Sequence, residues 1–281
     1  NHKMISIIIP TYNNLNYLKL CIKSLNNNSS HNHEIIFHVN DGSDGTMEFI
    51  KNNGYKFTHS NTNIGLCSSM NKAAKLASFE YILYSHDDMY FCPNWDDVLI
   101  KEIKSLGHEN FYLSGTMIEP NSGHIVFNFG DTINNFREDE LLSKYKDINF
   151  FDHQGSHFAP HLVSKKMWDK VGGFSEEFNP GIASDPDFNM KLWKEGVRIF
   201  KGLNDFKVYH FGSLTTRKKK NFIPNRGDRK FLKKWGITTK FFKKYYLKSK
   251  TKYDGPLSDP KVTLGYIIEL IGCKVKSIFI I

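Results

Sequence analysis

Two adjacent carboxylates stand in Tyr84-Ser-His-Asp-Asp-Met89, directly after a β-rich apolar run. Side by side at the end of a buried strand, they repel each other unless a cation or a basic group compensates. A hard divalent ion whose shell is completed by substrate phosphates is one solution, and capping of the following helix is the plainer one. A third acid, Asp41 in Val39-Asn-Asp-Gly-Ser43, also closes a strand-like run. An acceptor there suits a nucleobase imide, and the glycine after it lets a ligand approach the backbone. Ser184-Asp185-Pro186-Asp187 follows two glycine-rich stretches, Gly172-Gly-Phe174 and Asn179-Pro-Gly181, and precedes a helical pattern. Asp185 there is a candidate general base, with helix capping as the alternative and as the expected role of Asp187. His210, in Val208-Tyr-His-Phe-Gly-Ser213, offers a nitrogen ligand, one of 12 histidines in the chain.

The elements that must position these residues are legible in the first hundred positions. Apolar β-rich runs at Met4–Pro10, Glu34–Asn40, Tyr55–His59 and Phe79–Ser85 alternate with helical spacing at Leu15–Leu25, Thr46–Asn52, Leu66–Leu76 and Trp95–Leu106. Such alternation predicts an α/β fold: a mostly parallel, Rossmann-like sheet with helices on both faces. Ligands of these sheets bind beyond the carboxyl ends of the strands. The polar groups Thr11-Tyr-Asn13, Asn40-Asp41 and His86-Asp-Asp88 all fall at those ends. Residues 107–153 read as irregular, with short strands near Phe111–Met117 and Ile125–Phe129. A helix is expected at Asp187–Glu195, then two strands, Val197–Lys201 and Phe206–His210.

The order of the whole set is more specific than any piece. Pro10-Thr-Tyr-Asn13, Asn40-Asp-Gly-Ser43, Asn63-Ile-Gly65 with Asn71-Lys-Ala73, Asp87-Asp88, Gly172-Gly-Phe174, Asp185-Pro-Asp187 and His210 together resemble glycosyltransferase family two over roughly residues 4–217. The resemblance implies a GT-A fold and inverting transfer of one sugar from a nucleotide-diphosphate donor, with a UDP-sugar favoured, to a glycan or lipid-linked glycan acceptor in surface-glycan, lipopolysaccharide or capsule assembly. It implies a nucleotide site of Pro10, Thr11, Tyr12, Asp41, Asn63, Gly65, Asn71 and Asp87. Asp88 takes the place of the last metal-binding aspartate of the family's DxD motif, His210 that of a late histidine joining the metal, and Asp185 that of the catalytic base. A carboxylate with an imidazole favours Mn2+ over Mg2+. Three positions depart from the family pattern. His86 stands where the first acid of DxD often sits, Ser184 replaces the glutamate before the base, and Phe231-Leu-Lys-Lys-Trp235 lacks the glutamine and arginine of the processive synthases' QxxRW. The last departure favours transfer of one or a few sugars.

A chain of 281 residues that is 40% hydrophobic and 24% charged can bury a large core without disulfides. Its four cysteines form no CxxC pair, and Asn1-His-Lys-Met4 holds no apolar signal core, so a cytoplasmic protein starting at Met4 is expected. The charge of +9 is uneven. Arg217–Lys252 holds 15 Lys or Arg against the single acid Asp228, a local +14 that leaves the other residues at −5. This divides the chain into a catalytic domain, 1–216, and a basic helical extension, 217–281. In the extension Leu264, Ile267, Ile268, Ile271, Val275 and Ile278 fall on one helical face. Basic charge followed by an amphipathic helix suits an anionic membrane surface, peripherally on its inner face, or else packing against the catalytic domain. Two rivals are weaker. Nucleotidyl transfer wants a glycine-rich, basic loop after the first strand, and Thr11-Tyr-Asn-Asn-Leu15 is neither. Nucleic-acid binding through Phe231, Trp235, Phe241, Phe242, Tyr245 and Tyr246 is not expected, because these aromatics fit the buried face of helices whose lysines face water.

Overall fold

The computed structural model describes residues 5–212 and 226–279. The first four residues and the Arg217–Lys220 part of the basic run lie outside the described residues. The alternation read from the sequence forms as β1 (Ile5–Tyr12), α1 (Leu15–Asn28), β2 (Glu34–Asn40), α2 (Thr46–Asn52), β3 (Lys56–Ser60), α3 (Leu66–Ala74) and β4 (Tyr81–Tyr84). These four strands are mutually parallel, in the order β3-β2-β1-β4. Ile5, Ile7, Ile8 and Ile9 of β1 are all fully buried. Helices cover both faces of a parallel strand, and an unbroken apolar run is what such a strand requires.

The second half extends the same sheet. After β5 (Met89–Phe91) and α4 (Trp95–Leu106) come β6 (Phe111–Glu119), β7 (Ile125–Val126), α5 (Glu138–Lys144), β8 (His153–Gln154), β9 (His161–Ser164), α6 (Lys165–Val171), α7 (Ser184–Lys194) and β10 (Ile199–His210). The strand order continues β4-β9-β6-β10-β5. β9 runs antiparallel to both β4 and β6, β6 and β10 are parallel, and β5 is antiparallel to β10. Hence β1, β2, β4, β6 and β10 all point their carboxyl ends to one edge, and Thr11, Tyr12, Asp41, Asp87, Asp88 and His210 lie along it.

Three local expectations change. The middle segment read as irregular is ordered: the strand expected near Phe111–Met117 forms as β6, two residues longer, with all nine residues buried in the middle of the sheet. The stretch beyond it is not loose either: Phe129, Leu141 and Tyr145 bury against Tyr90, Ile118, Tyr209 and Phe211 in a second small core. The two strands expected around Asn204-Asp205 are one, β10, with a register irregularity between Gly202 and Lys207 that absorbs the polar pair. The helix expected from Asp187 starts at Ser184. Pro186 sits within its first turn, where the missing N–H has no intrahelical acceptor in any case. Asp185 is therefore a first-turn residue.

Residues 226–279 share the main core. α8 (Arg226–Trp235), a short α9 (Thr239–Phe241) running into a π turn over Phe242–Tyr246, and α10 (Leu264–Ile278) follow one another. Phe231, Leu232, Phe241, Phe242, Leu247, Leu257 and Cys273 are buried in the cluster that contains β1. α10 turns Tyr266, Leu270 and Cys273 toward the body, with Tyr266 edge-on to Phe241 and Tyr245. Its apolar stripe faces the other way: Leu264, Ile268, Ile271 and Ile278 are 55–74% exposed. Among the described residues no helix is long and apolar enough to cross a membrane.

Candidate active site

The carboxyl ends of β1, β2 and β4, with the turns before α3 and α7, enclose a cavity of about 330 Å³. Of the eight residues expected at a nucleotide, Pro10, Thr11, Tyr12, Asn63, Gly65 and Asp87 line it. Asn40 braces this wall. It accepts from the Ile64 amide (3.0 Å) and donates to Ser69 Oγ (3.0 Å). Gly65 has a φ of +86°, and a Cβ there would lie 2.5 Å from Asn179 Oδ1. Only glycine allows α3 to start hard against Asn179, which caps it through the Cys67 amide at 2.9 Å.

The other two stand outside the lining. Asp41 accepts from Asn13 Nδ2 at 2.9 Å, while Asn13 Oδ1 accepts from the Gly42 amide at 2.9 Å. The bonds from Asn13 and Ser43 hold its carboxyl below the usual range, so it is a half-buried anion shaping the β1–α1 turn. Asn71 is turned toward Phe174. It accepts from the Phe174 amide (2.9 Å) and donates to the Phe174 carbonyl (2.8 Å), clamping the Gly172-Gly-Phe174 segment to α3.

Asp87 and Asp88, adjacent and both buried, have different surroundings. Asp87 is pinned to the β1–α1 turn: Thr11 Oγ1 donates to it at 2.7 Å and Asn14 Nδ2 at 3.0 Å. Burial and the neighbouring Asp88 push its carboxyl up. Asp88 points the other way. Burial opposes its charge, but His210 and then His86 hold its carboxyl down. The sheet explains the meeting, because β10 pairs with β5 so that His210 is opposite Met89, the residue after Asp88. His210 Nε2 is 3.2 Å from Asp88 Oδ1 and 3.4 Å from His86 Nδ1, and His86 Nδ1 is 3.9 Å from Asp88 Oδ1.

These three donors all lie within 4.8 Å of one another. Adjacent ligands of a divalent cation, each about 2.1 Å from it, stand about 3.0–3.4 Å apart, so two of the three separations already match and the third needs a small movement of the partly exposed His86. The donor set fits a divalent cation. His86, the first residue of the His-Asp-Asp run, completes the pair expected from Asp88 and His210. Its position two residues before Asp88, the spacing of a D-x-D, was the signal for it. Glu119 carries no such signal in the sequence: it ends β6 just before Pro120 and reaches His210 Nδ1 at 2.5 Å.

Asp185 and Asp187 also separate. Asp187 is fully buried and satisfied, accepting from Ser175 Oγ (2.6 Å) and Trp235 Nε1 (2.8 Å), with Lys234 Nζ at 2.9 Å. It ties α7 to α8. Asp185 lines the cavity, and its Oδ1 is shut from solvent with no hydrogen-bond partner among the described residues. Burial lifts its carboxyl from 3.8 to about 7. A carboxylate that titrates near neutrality beside an open cavity has the properties of a general base. The aromatics interleaved with the basic extension are core: Phe231, Phe241 and Phe242 are at most 1% exposed and are not free to stack on bases.

Comparison with known proteins bears on the family and the fold. The chain is 32% identical over 213 residues to an uncharacterized glycosyltransferase of Rickettsia typhi, covering 73% of this chain and 62% of that one. It is 28% identical over 234 residues to the chondroitin synthase of Pasteurella multocida, covering 78% of this chain and 22% of the synthase. It therefore spans under two thirds of the length of either. A crystal structure of GalNAc-T7 with UDP, GalNAc and Mn2+ superposes at a TM-score of 0.57 and 14% identity, over 75% of this chain and 44% of that one. At that identity the likeness speaks to the fold alone, and the fold is GT-A. The family model for glycosyl transferase family 2 matches residues 6–161, from the first strand through the cavity wall and the His-Asp-Asp turn to the start of β9. With the ordered motifs at the strand ends, that match places the chain in glycosyl transferase family 2.

Proposed function

We propose that the chain transfers a single sugar from a nucleotide-diphosphate donor, UDP-linked by preference, to the hydroxyl of a glycan or lipid-linked glycan acceptor, with inversion at the anomeric carbon. The observation that carries this reading is the pairing, in one cavity, of a carboxylate whose buried Oδ1 has no partner among the described residues with the Asp88 side of the donor cluster. Asp185 takes the acceptor proton as that oxygen forms its bond to the anomeric carbon, and the bond to the diphosphate breaks on the opposite face. General-base assistance of this kind contributes about 10²–10⁴-fold in rate. His86, Asp88 and His210 are the residues that would hold a divalent cation, whose chemistry is to neutralise the charge developing on the leaving diphosphate. Two imidazoles and one carboxylate favour Mn2+ over Mg2+. The UDP and Mn2+ found with GalNAc-T7 and the glycan product of the chondroitin synthase support donor, cation and a role in glycan assembly for this chain as well.

The acceptor reading extends to location. The outward stripe of α10, together with the lysines around it, supports peripheral docking on the inner face of an anionic membrane, where a lipid-linked acceptor is presented. The test of the transfer reading is a panel of nucleotide sugars with Mn2+ and a set of glycan acceptors, with the product's anomeric configuration read by NMR. Inversion with a UDP-sugar is expected. Retention of configuration, or turnover by Asp88→Ala equal to that of the parent with and without Mn2+, overturns the mechanism.

A further inference from the structure

β6 and β10 run parallel with Ile118 opposite Tyr209, so the next residues, Glu119 and His210, leave the sheet as neighbours. Glu119 Oε1 lies 2.5 Å from His210 Nδ1. Its other oxygen accepts from the Ser122 hydroxyl. The turn that carries Ser122 closes tightly over the side chain: Gly123 has a φ of +85°, and a Cβ there would stand 3.0 Å from Glu119 Cγ. Glu119 is only 7% exposed and takes no part in the cavity lining. Buried carboxylates are rare without a partner, and this one is held from two sides against a single imidazole nitrogen.

A neutral imidazole has one N–H and one lone pair, and the group bonded to the first decides where the second points. An anionic acceptor at Nδ1 keeps the proton on that nitrogen. With a cation in place of the proton that Nε2 shares with Asp88 Oδ1, the lone pair would be left on Nε2, which faces Asp88 and His86. We propose that Glu119 is a positioning residue: from outside the cavity it fixes the tautomer and ring orientation of His210, so that Nε2 presents its lone pair to the cation cluster. Partners of this kind hold the ring in place and raise its basicity as a ligand, and losing one typically lowers metal affinity about 10–100-fold. The inference rests on the cation reading of the proposed function.

The experiment compares the full chain with its Glu119→Ala, Glu119→Gln and Asp88→Ala variants, by electron paramagnetic resonance titration with Mn2+ in the presence of UDP. Glu119→Ala is expected to bind Mn2+ about 10–100-fold more weakly than the parent. Glu119→Gln, whose amide oxygen accepts the same bond, is expected to recover most of that loss, and a purely structural defect would not be rescued in this way. Nitrogen-15 NMR of the Mg2+-loaded parent gives a readout that needs no variant to fold: the proton is expected on Nδ1 of His210. A parent that takes up no Mn2+ overturns the cation reading and this inference with it. A parent that binds through Asp88 while Glu119→Ala binds equally well, or a His210 proton on Nε2 in the loaded protein, overturns the inference alone.

Discussion

The Asp185→Asn substitution should weaken catalysis and strengthen the fold at once, and pH should separate the two effects. Asp185 lines the cavity with a buried, unpartnered oxygen, and burial lifts its carboxyl from 3.8 to about 7. In the unfolded chain the group ionises near its ordinary value, whereas in the folded protein it keeps its proton to about pH 7. Between those values the unfolded state releases a proton that the native state retains, so stability falls as pH rises through the window. Each unit is worth about 1.36 kcal/mol, which sets a ceiling of about 4 kcal/mol above pH 7. The side chain is partly open to the cavity, and screening there reduces the expected value to about 1–2 kcal/mol. The asparagine variant does not titrate and should recover this amount, raising the unfolding midpoint by about 2–8 °C at pH 8. Near pH 4 the two proteins should melt together. Turnover should drop about 10²–10⁴-fold in the variant, and in the parent it should fall as pH drops below about 7, where the base becomes protonated. Thermal scans from pH 4.5 to 8.5 with UDP release as the activity assay supply both readings. A midpoint difference that does not grow with pH, or a variant within tenfold of parental turnover, refutes the assignment of Asp185 as the buried base.

Asp187→Ala should behave in the opposite manner. It strips the acceptor from Ser175, Trp235 and Lys234 at the junction of α7 and α8, and a loss of about 2–4 kcal/mol is expected by urea unfolding. Turnover per folded molecule should stay within a few-fold of the parent, and a collapse of turnover without loss of stability would reassign the base. The membrane reading is tested by the Ile268→Glu/Ile271→Glu pair, because both side chains are more than half exposed and their replacement should change stability by no more than about 0.5 kcal/mol. The parent should float with vesicles containing anionic lipid at low salt and the double variant should not. Removing residues 217–281 would be a poorer test, since it would uncover the core around Phe231 and Phe242. If neither protein floats and the parent alone is dimeric by light scattering, the stripe is a contact with a second copy instead.

The legible part of this molecule was the part whose causes are local. Apolar runs and helical spacing marked β1 to β4 and the helices between them, because a strand buried on both faces needs such a run whatever surrounds it. The polar groups at those strand ends were legible for the same reason. The failures share a different cause. Asn204-Asp205 looks like a turn between two strands, yet the Asn204 amide finds Asp152 at 2.8 Å and the strand continues through. Glu119 had no local signal, since its partner is 91 residues away and only the β6–β10 register brings them together. The stripe on α10 was plain as a period, but a period says only that one face is apolar. Whether that face points into the body is decided elsewhere, by Tyr266 and Cys273 seating against Phe241, Tyr245 and Thr238.

Asp87 and Asp88 show how far this division reaches into function. As neighbours in sequence they invite a common role, two carboxylates on one cation. In the fold each answers to a different strand: Asp87 to Thr11 and Asn14 beyond β1, Asp88 to His210 at the end of β10. The carboxylate at the hinge of the turn is consumed in holding the turn, which leaves the next one aimed into the cluster and lets His86 supply a second nitrogen. A histidine in the place of a first acid is then no defect in the motif. It lowers the negative charge of a buried site that already holds Asp88 and Glu119, and a third carboxylate there would add to the desolvation and repulsion those two must overcome.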